Sequence, residues 1–161
     1  LPACPPQGKI GMPDIFLRAA TVDDQPTIRR IIRSAQLNPF GLHWQRFVMA
    51  QSGNQVVGMG QVKILGDATP ELASLAVLPE YQSSGIGSCI VWTLIDRTPG
   101  PLYLRCAGHN EGYYQRFGFR TLAPAEMPRS LRRFYTAMRA VLPLANRVLG
   151  SHERLLIMGR W

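Results

Sequence analysis

Residues Glu71–Gly87 read ELASLAVLPEYQSSGIG. An apolar run, Leu72–Leu78, ends at Pro79, and a short loop then carries Gly85 and Gly87 one residue apart. Behind that loop Ile86, Ile90, Val91 and Leu94 repeat at helical spacing. A buried strand therefore runs through a glycine loop straight into a helix. Glycines at these two positions let the backbone approach a ligand without side-chain interference. The N–H groups of Ser83–Gly87, at the positive end of the helix, form an anion cradle suited to phosphate or pyrophosphate. No P-loop lysine follows and no GxGxxG continues, so nucleotide-hydrolase and dinucleotide readings fail. Glycine at a helix start is also ordinary turn chemistry, so spacing alone leaves both readings open.

Working outward, Phe16–Ala20 reads as a strand, and Asp23 or Asp24 caps a helix whose apolar face is Ile28, Ile31, Ile32 and Ala35. Asn38-Pro39 ends it. Strands over Arg46–Gln51 and Gln55–Leu65 flank Ser52-Gly53-Asn54, a hairpin signal. The helix behind the glycine loop spans Gly87–Arg97, broken by Thr98-Pro99-Gly100-Pro101; Leu102–Cys106 is a short buried strand. A short helix over Asn110–Phe117 stops at Gly118, and Phe119–Leu122 is another strand. Leu131, Phe134, Tyr135, Met138, Val141 and Leu142 then line one helical face opposite Arg129, Arg132, Arg133 and Thr136. Pro143 is expected to stop that helix, and Arg154–Gly159 is the last strand. Hairpins with interspersed helices imply an α/β fold with a mixed sheet.

The chain has 161 residues, the length of one domain with a core of its own. The expectation is a lead-in over residues 1–14, rich in Pro and Gly, before a single domain over 15–161. Charged residues are only 17%, which excludes a disordered tail. Eighteen Lys and Arg against ten Asp and Glu give a net charge of +8, which favours anionic partners or simply a solvated face. No stretch reaches the ~20 apolar residues of a membrane span, so no membrane partner is expected. Cys4, Cys89 and Cys106 show neither CxxC nor His/Cys spacing. Reduced thiols, no metal and a cytoplasmic location follow as expectations, with an organelle open if a transit segment has been removed.

The run LAVLPEYQSSGIG resembles the acetyl-CoA-binding motif of the GNAT acyltransferase superfamily, whose core Gln/Arg-x-x-Gly-x-Gly/Ala stands here as Gln82, Ser83, Ser84, Gly85, Ile86, Gly87. NEGYYQRFGFR, Asn110–Arg120, is similar to the family's later motif, a Tyr before a Gly-Phe pair. The resemblance covers Leu17–Leu122 and implies a mostly antiparallel sheet splayed at the cofactor site. It implies that Leu75, Ala76 and Val77 pair with the pantetheine of acetyl-CoA, the cosubstrate, and that Gln82–Gly87 hold its pyrophosphate. Asn110 would bond the pantetheine or its carrier loop. Ser84 departs from the family's Gly or basic residue, and the Arg-rich helix at about 127–142 is an insertion whose apolar face packs on the sheet, the acceptor cleft or a second subunit.

The reaction implied is transfer of acetyl to a primary amine by direct attack. Glu71 matches the position that often holds the general base, and Tyr114 the tyrosine that protonates the leaving thiolate. The Val77 N–H matches the group that polarises the carbonyl. Read without the resemblance, Glu71 is a solvated strand end and Tyr114 a core aromatic. His109 is a second candidate base, Cys106 a buried inert thiol, and His43 and Trp44 lie on the loop that forms the acceptor wall. The acceptor is a small molecule or a protein amine, and the basic C-terminal quarter disfavours a polycation. Two other classes stand beside this one: an acyl-CoA-sensing module without turnover, and a nucleic-acid binder. The latter lacks any basic strand interleaved with aromatics.

Overall fold

A computed structural model describes residues 15–149 and 154–161, with side chains for 15–143 and 154–161. The lead-in expected over residues 1–14 lies outside the described residues. The fold class is the expected one, mixed α/β, with seven strands and four α-helices among the described residues, in the order the sequence implies. These are β1 (Ile15–Ala19), α1 (Gln25–Ser34), β2 (Phe47–Ser52), β3 (Gln55–Ile64), β4 (Pro70–Val77), α2 (Ile86–Asp96), β5 (Leu102–Ala107), α3 (Glu111–Gln115), β6 (Arg120–Thr121), α4 (Arg129–Leu149) and β7 (Leu155–Arg160). The chain partitions into two compact units, residues 1–63 with 72–99, and residues 64–71 with 100–161.

In the first unit the strands run in the order β1-β2-β3-β4. The β2–β3 hairpin turns at Gly53, whose φ of 53° is the left-handed conformation such a turn needs. Its register pairs Phe47 with Gln61 and Met49 with Met59, so these four side chains share one face. There α1 seats Ile28, Ile31 and Ile32 against Phe47, Met49, Met59 and Ala76. Ala35, expected on that apolar face, is the exposed C-cap, because α1 ends at Ser34. Asp24 is the N-cap residue, but its carboxylate binds Arg18 with both oxygens (2.7 and 2.8 Å) and the Thr21 N–H (2.7 Å) in place of an α1 amide.

The opposite face of β3 carries Gly58 and Gly60. A Cβ at Gly60 would stand 2.9 Å from Ile90 Cγ2 and 3.1 Å from Leu94 Cδ1. The absent side chains let α2 lie down on the strand through Ile86, Ile90, Val91 and Leu94, all buried as its apolar periodicity predicts.

In the second unit β7 lies between β5 and β6, antiparallel to both. Leu122, Met127, Leu131 and Ile157 form its core, with Leu65, Tyr103 and Tyr135 against them. α4 continues past the expected stop, with Pro143 inside it. Proline there withholds the N–H that would reach the Arg139 carbonyl and sets its ring against that carbonyl; both residues are exposed, so the carbonyl is open to solvent. Asp67 takes over part of the N-terminal capping, accepting the Ser130 N–H at 2.8 Å. Arg129, Arg132, Arg133 and Arg139 all face solvent.

Candidate functional site

The cradle belongs to the first unit. β4 leaves Val77 for a 3₁₀ turn at Pro79–Tyr81; Gln82 is extended, and Ser83 and Gly85 take positive φ, 61° and 90°. Gly85 is the N-cap of α2, and a Cβ on it would meet nothing within 4 Å, so its freedom serves the turn and the space above it is open. Among the described residues no side chain caps this helix, and no acid lies in its first turn. The first N–H groups of α2 are therefore left for an external acceptor, at the end whose partial charge is positive. Two side chains stiffen the loop: Gln82 Nε2 donates to the Val77 carbonyl at 3.0 Å, and the Ser84 hydroxyl donates to the Tyr81 carbonyl. Of the motif's side chains, Gln82 thus fastens the loop to the end of β4. Leu75, Ala76 and Val77 are the last three residues of β4, with Ala76 buried in the α1-side core.

Glu71, Asn110 and Tyr114 belong to the second unit. Glu71 is only 2% exposed, and both its oxygens are held by Arg105: Nε to Oε1, and Nη2 to Oε2 at 2.9 Å. The Arg105 guanidinium also lies 4.2 Å over the Phe134 ring, so α4 covers one of its faces while its edge binds Glu71. The solvated strand-end reading of Glu71 does not describe this buried, doubly bonded pair. Asn110 ends a 3₁₀ turn and is the N-cap residue of α3.

Tyr114 is half-buried on α3, with Tyr113 and Phe119 edge-on at 5.1 and 6.2 Å. Burial first, then Tyr113 and Cys106, pushes its phenol well above the ordinary tyrosine range. A tyrosine is ordinarily protonated at neutral pH, and this shift widens that margin. The carbonyl of Tyr114 accepts the Phe117 and Phe119 N–H groups, with Gly118 at φ 83° completing the turn.

The remaining candidates divide. Cys106 is buried beside Met158, and burial, with Glu111 adding to it, pushes its thiol up to about 11. It is an inert core thiol. Cys89 is disulfide-bonded, against the expectation of reduced thiols throughout. Trp44 packs on the α1-side core. His43 lines an open groove of about 590 Å³ with Arg29, Arg33 and Leu42, and His109 is exposed. Among the described residues no cluster of three or more His, Cys, Asp or Glu could hold a metal, and no helix is long and apolar enough to cross a membrane.

Residues 12–119 match the family model for the acetyltransferase (GNAT) family. The chain belongs to the GNAT family. Among solved structures, this GNAT chain is similar to N-acetylglutamate synthase from Neisseria gonorrhoeae in complex with coenzyme A and L-arginine. The identity is 21%, the TM-score 0.70, and 92% of this chain and 33% of that one are covered. It is also similar to Rv2747 from Mycobacterium tuberculosis with CoA (20% identity, TM-score 0.63, 90% and 98% covered). A third is the ribosomal-protein-S18-alanine N-acetyltransferase of Escherichia coli (17%, 0.60, 91% and 93%). At these identities the likeness is one of fold, and the chain spans about a third of the length of the neisserial enzyme. No curated protein matches the sequence.

Sequence reading missed Arg105, thirty-four residues from its partner, although an arginine inside the apolar strand LYLRCA was the available signal.

Proposed function

We propose that the protein is an N-acetyltransferase that moves acetyl from acetyl-CoA to a primary amine by direct attack in a ternary complex. The observation that carries the reading is the uncapped, acid-free N-terminus of α2 behind two residues at positive φ, an anion cradle inside the family's own motif. Gln82–Gly87 would bind the coenzyme pyrophosphate, the backbone of Leu75–Val77 the pantetheine, and Asn110 the pantetheine or its carrier loop. The Val77 N–H polarises the thioester carbonyl. The amine nitrogen attacks the carbonyl carbon, and Glu71 takes the proton the nitrogen sheds. Arg105 occupies one lone pair on each Glu71 oxygen and leaves the others to accept that proton, directly or through water. The C–S bond breaks, and Tyr114 gives its phenolic proton to the departing thiolate. The products are the N-acetylated amine and free coenzyme A. The same Glu71–Arg105 lock favours a second reading, an acyl-CoA sensor without turnover.

A thermal melt separates these from an empty cradle. Ligand at about 100 times its dissociation constant adds roughly 2.7 kcal/mol, a shift of about 5–10 °C at this size. Acetyl-CoA should give that shift and ATP should not, and amine-dependent thiol release should fall in Tyr114→Phe and Glu71→Gln. A shift without amine-dependent thiol release would establish the sensor. No shift at millimolar acetyl-CoA refutes both.

A further inference from the structure

We propose that Ser74 contacts the acceptor amine and that Gln61 positions it for that contact, an assignment that rests on the acetyl-transfer reading above. Among the described residues Ser74 is the one non-glycine residue inside a strand with positive φ, 57°. A side chain in that conformation is strained. Ser74 stands directly before Leu75–Val77, the segment assigned to the pantetheine. Its hydroxyl accepts a hydrogen bond from Gln61 Nε2 at 2.9 Å. Gln61 is fully buried on the α1 face of β3, and its Oε1 has no protein partner. The reversed amide would leave both N–H donors without a partner in the core, where the orientation shown pairs one of them with Ser74.

One short stretch of β3 and β4 thus carries a strained backbone and an unpaired buried acceptor. Each destabilises, and such features persist where they serve a site. The chemistry that results is specific. Because Gln61 donates to it, Ser74 Oγ has one lone pair filled, one lone pair open and its hydrogen free to turn outward. Ser74 itself is only half-buried, so this oriented hydroxyl is reachable where Gln61 is not. An amine about to attack a carbonyl needs an acceptor for one of its own N–H bonds, so that its lone pair points at carbon. The open lone pair of Ser74 supplies it.

The test uses the whole protein, acetyl-CoA and ethylamine, the probe amine, with thiol release, calorimetry and melting temperature as readouts. Ser74→Ala, Ser74→Gly and Gln61→Met should bind acetyl-CoA within twofold of the parent and lose about tenfold or more in kcat/KM for ethylamine. Gln61→Met should melt no lower than the parent, because it removes a buried acceptor that has no partner, and the Ser74 hydroxyl it leaves is half-buried and can turn to solvent. Ser74→Gly separates a hydroxyl role from a backbone one, since glycine adopts the left-handed conformation freely. Ethylamine turnover by Ser74→Gly within twofold of the parent overturns the proposal. So does a parent protein that binds acetyl-CoA but shows no ethylamine-dependent thiol release. Failure of the parent to bind acetyl-CoA overturns the acyl-CoA reading itself, and the two failures are told apart by calorimetry.

Discussion

Replacing Gly60 by alanine adds one methyl to the interface between β3 and α2. In an open strand position that exchange stabilises by about 0.4–1 kcal/mol, because the unfolded chain loses freedom. At Gly60 the new carbon would meet Ile90 Cγ2 at 2.9 Å, Leu94 Cδ1 at 3.1 Å and Leu75 Cδ1 at 3.5 Å. Ile90 is fully buried and Leu94 is 3% exposed, so neither has room to rotate away. The methyl is accommodated by lifting α2, an overpacking of about 1–3 kcal/mol. The net expectation is a destabilisation of about 1–2 kcal/mol, or roughly 2–8 °C in Tm for a chain of this length. α2 also presents the cradle amides from its first turn, so the same shift should weaken acetyl-CoA binding. Differential scanning calorimetry with and without acetyl-CoA reads both effects. Gly66→Ala, where nothing lies within 4 Å, is the control and should not melt lower. A Gly60→Ala protein that melts at or above the parent would refute the reasoning.

Two further outcomes follow from the charge pairs. Arg105→Met leaves the buried Glu71 carboxylate without its partner and should cost about 3–5 kcal/mol in urea unfolding; Arg105→Met combined with Glu71→Leu should recover most of it, and a double variant no more stable than Arg105→Met would refute the pairing as the cause. Asp24 is held down to about 2, chiefly by its hydrogen bonds from Arg18. With the folded value below the unfolded one, its stabilisation is complete above about pH 4 and is lost as pH falls towards 2; acid titration of stability should be shallower in Asp24→Asn over that window, and identical slopes would contradict the assignment.

What the sequence made legible were features local in the chain. α2 announces itself because Ile86, Ile90, Val91 and Leu94 lie on one helical face, and the cradle because two glycines interrupt a strand-to-helix passage. Both arise from residues within one or two turns of each other. α4 was half legible: its apolar stripe is periodic, but Pro143 is weighed against its surroundings only when those are known. On an exposed stretch the carbonyl left unpaired is open to solvent, and the helix runs on past the proline. The proposed acid and base show a deeper limit. Tyr114 could be placed on a short helix, yet the ring packing around its phenol comes from Phe119 and Tyr113 after the chain has turned at Gly118. Glu71 could be placed at a strand start, but its environment is set by Arg105 and Phe134, thirty-four and sixty-three residues on. Strand alternation in LYLRCA puts Arg105 on the face opposite Leu104 and Cys106, and α4 then closes over its guanidinium. A charge on a strand reads as solvated until something is known to cover that face. Here α4 supplies the cover. On the acetyl-transfer reading proposed above, α4 therefore bears on the chemistry without offering a residue to it, since Phe134 packs on the guanidinium that holds the carboxylate.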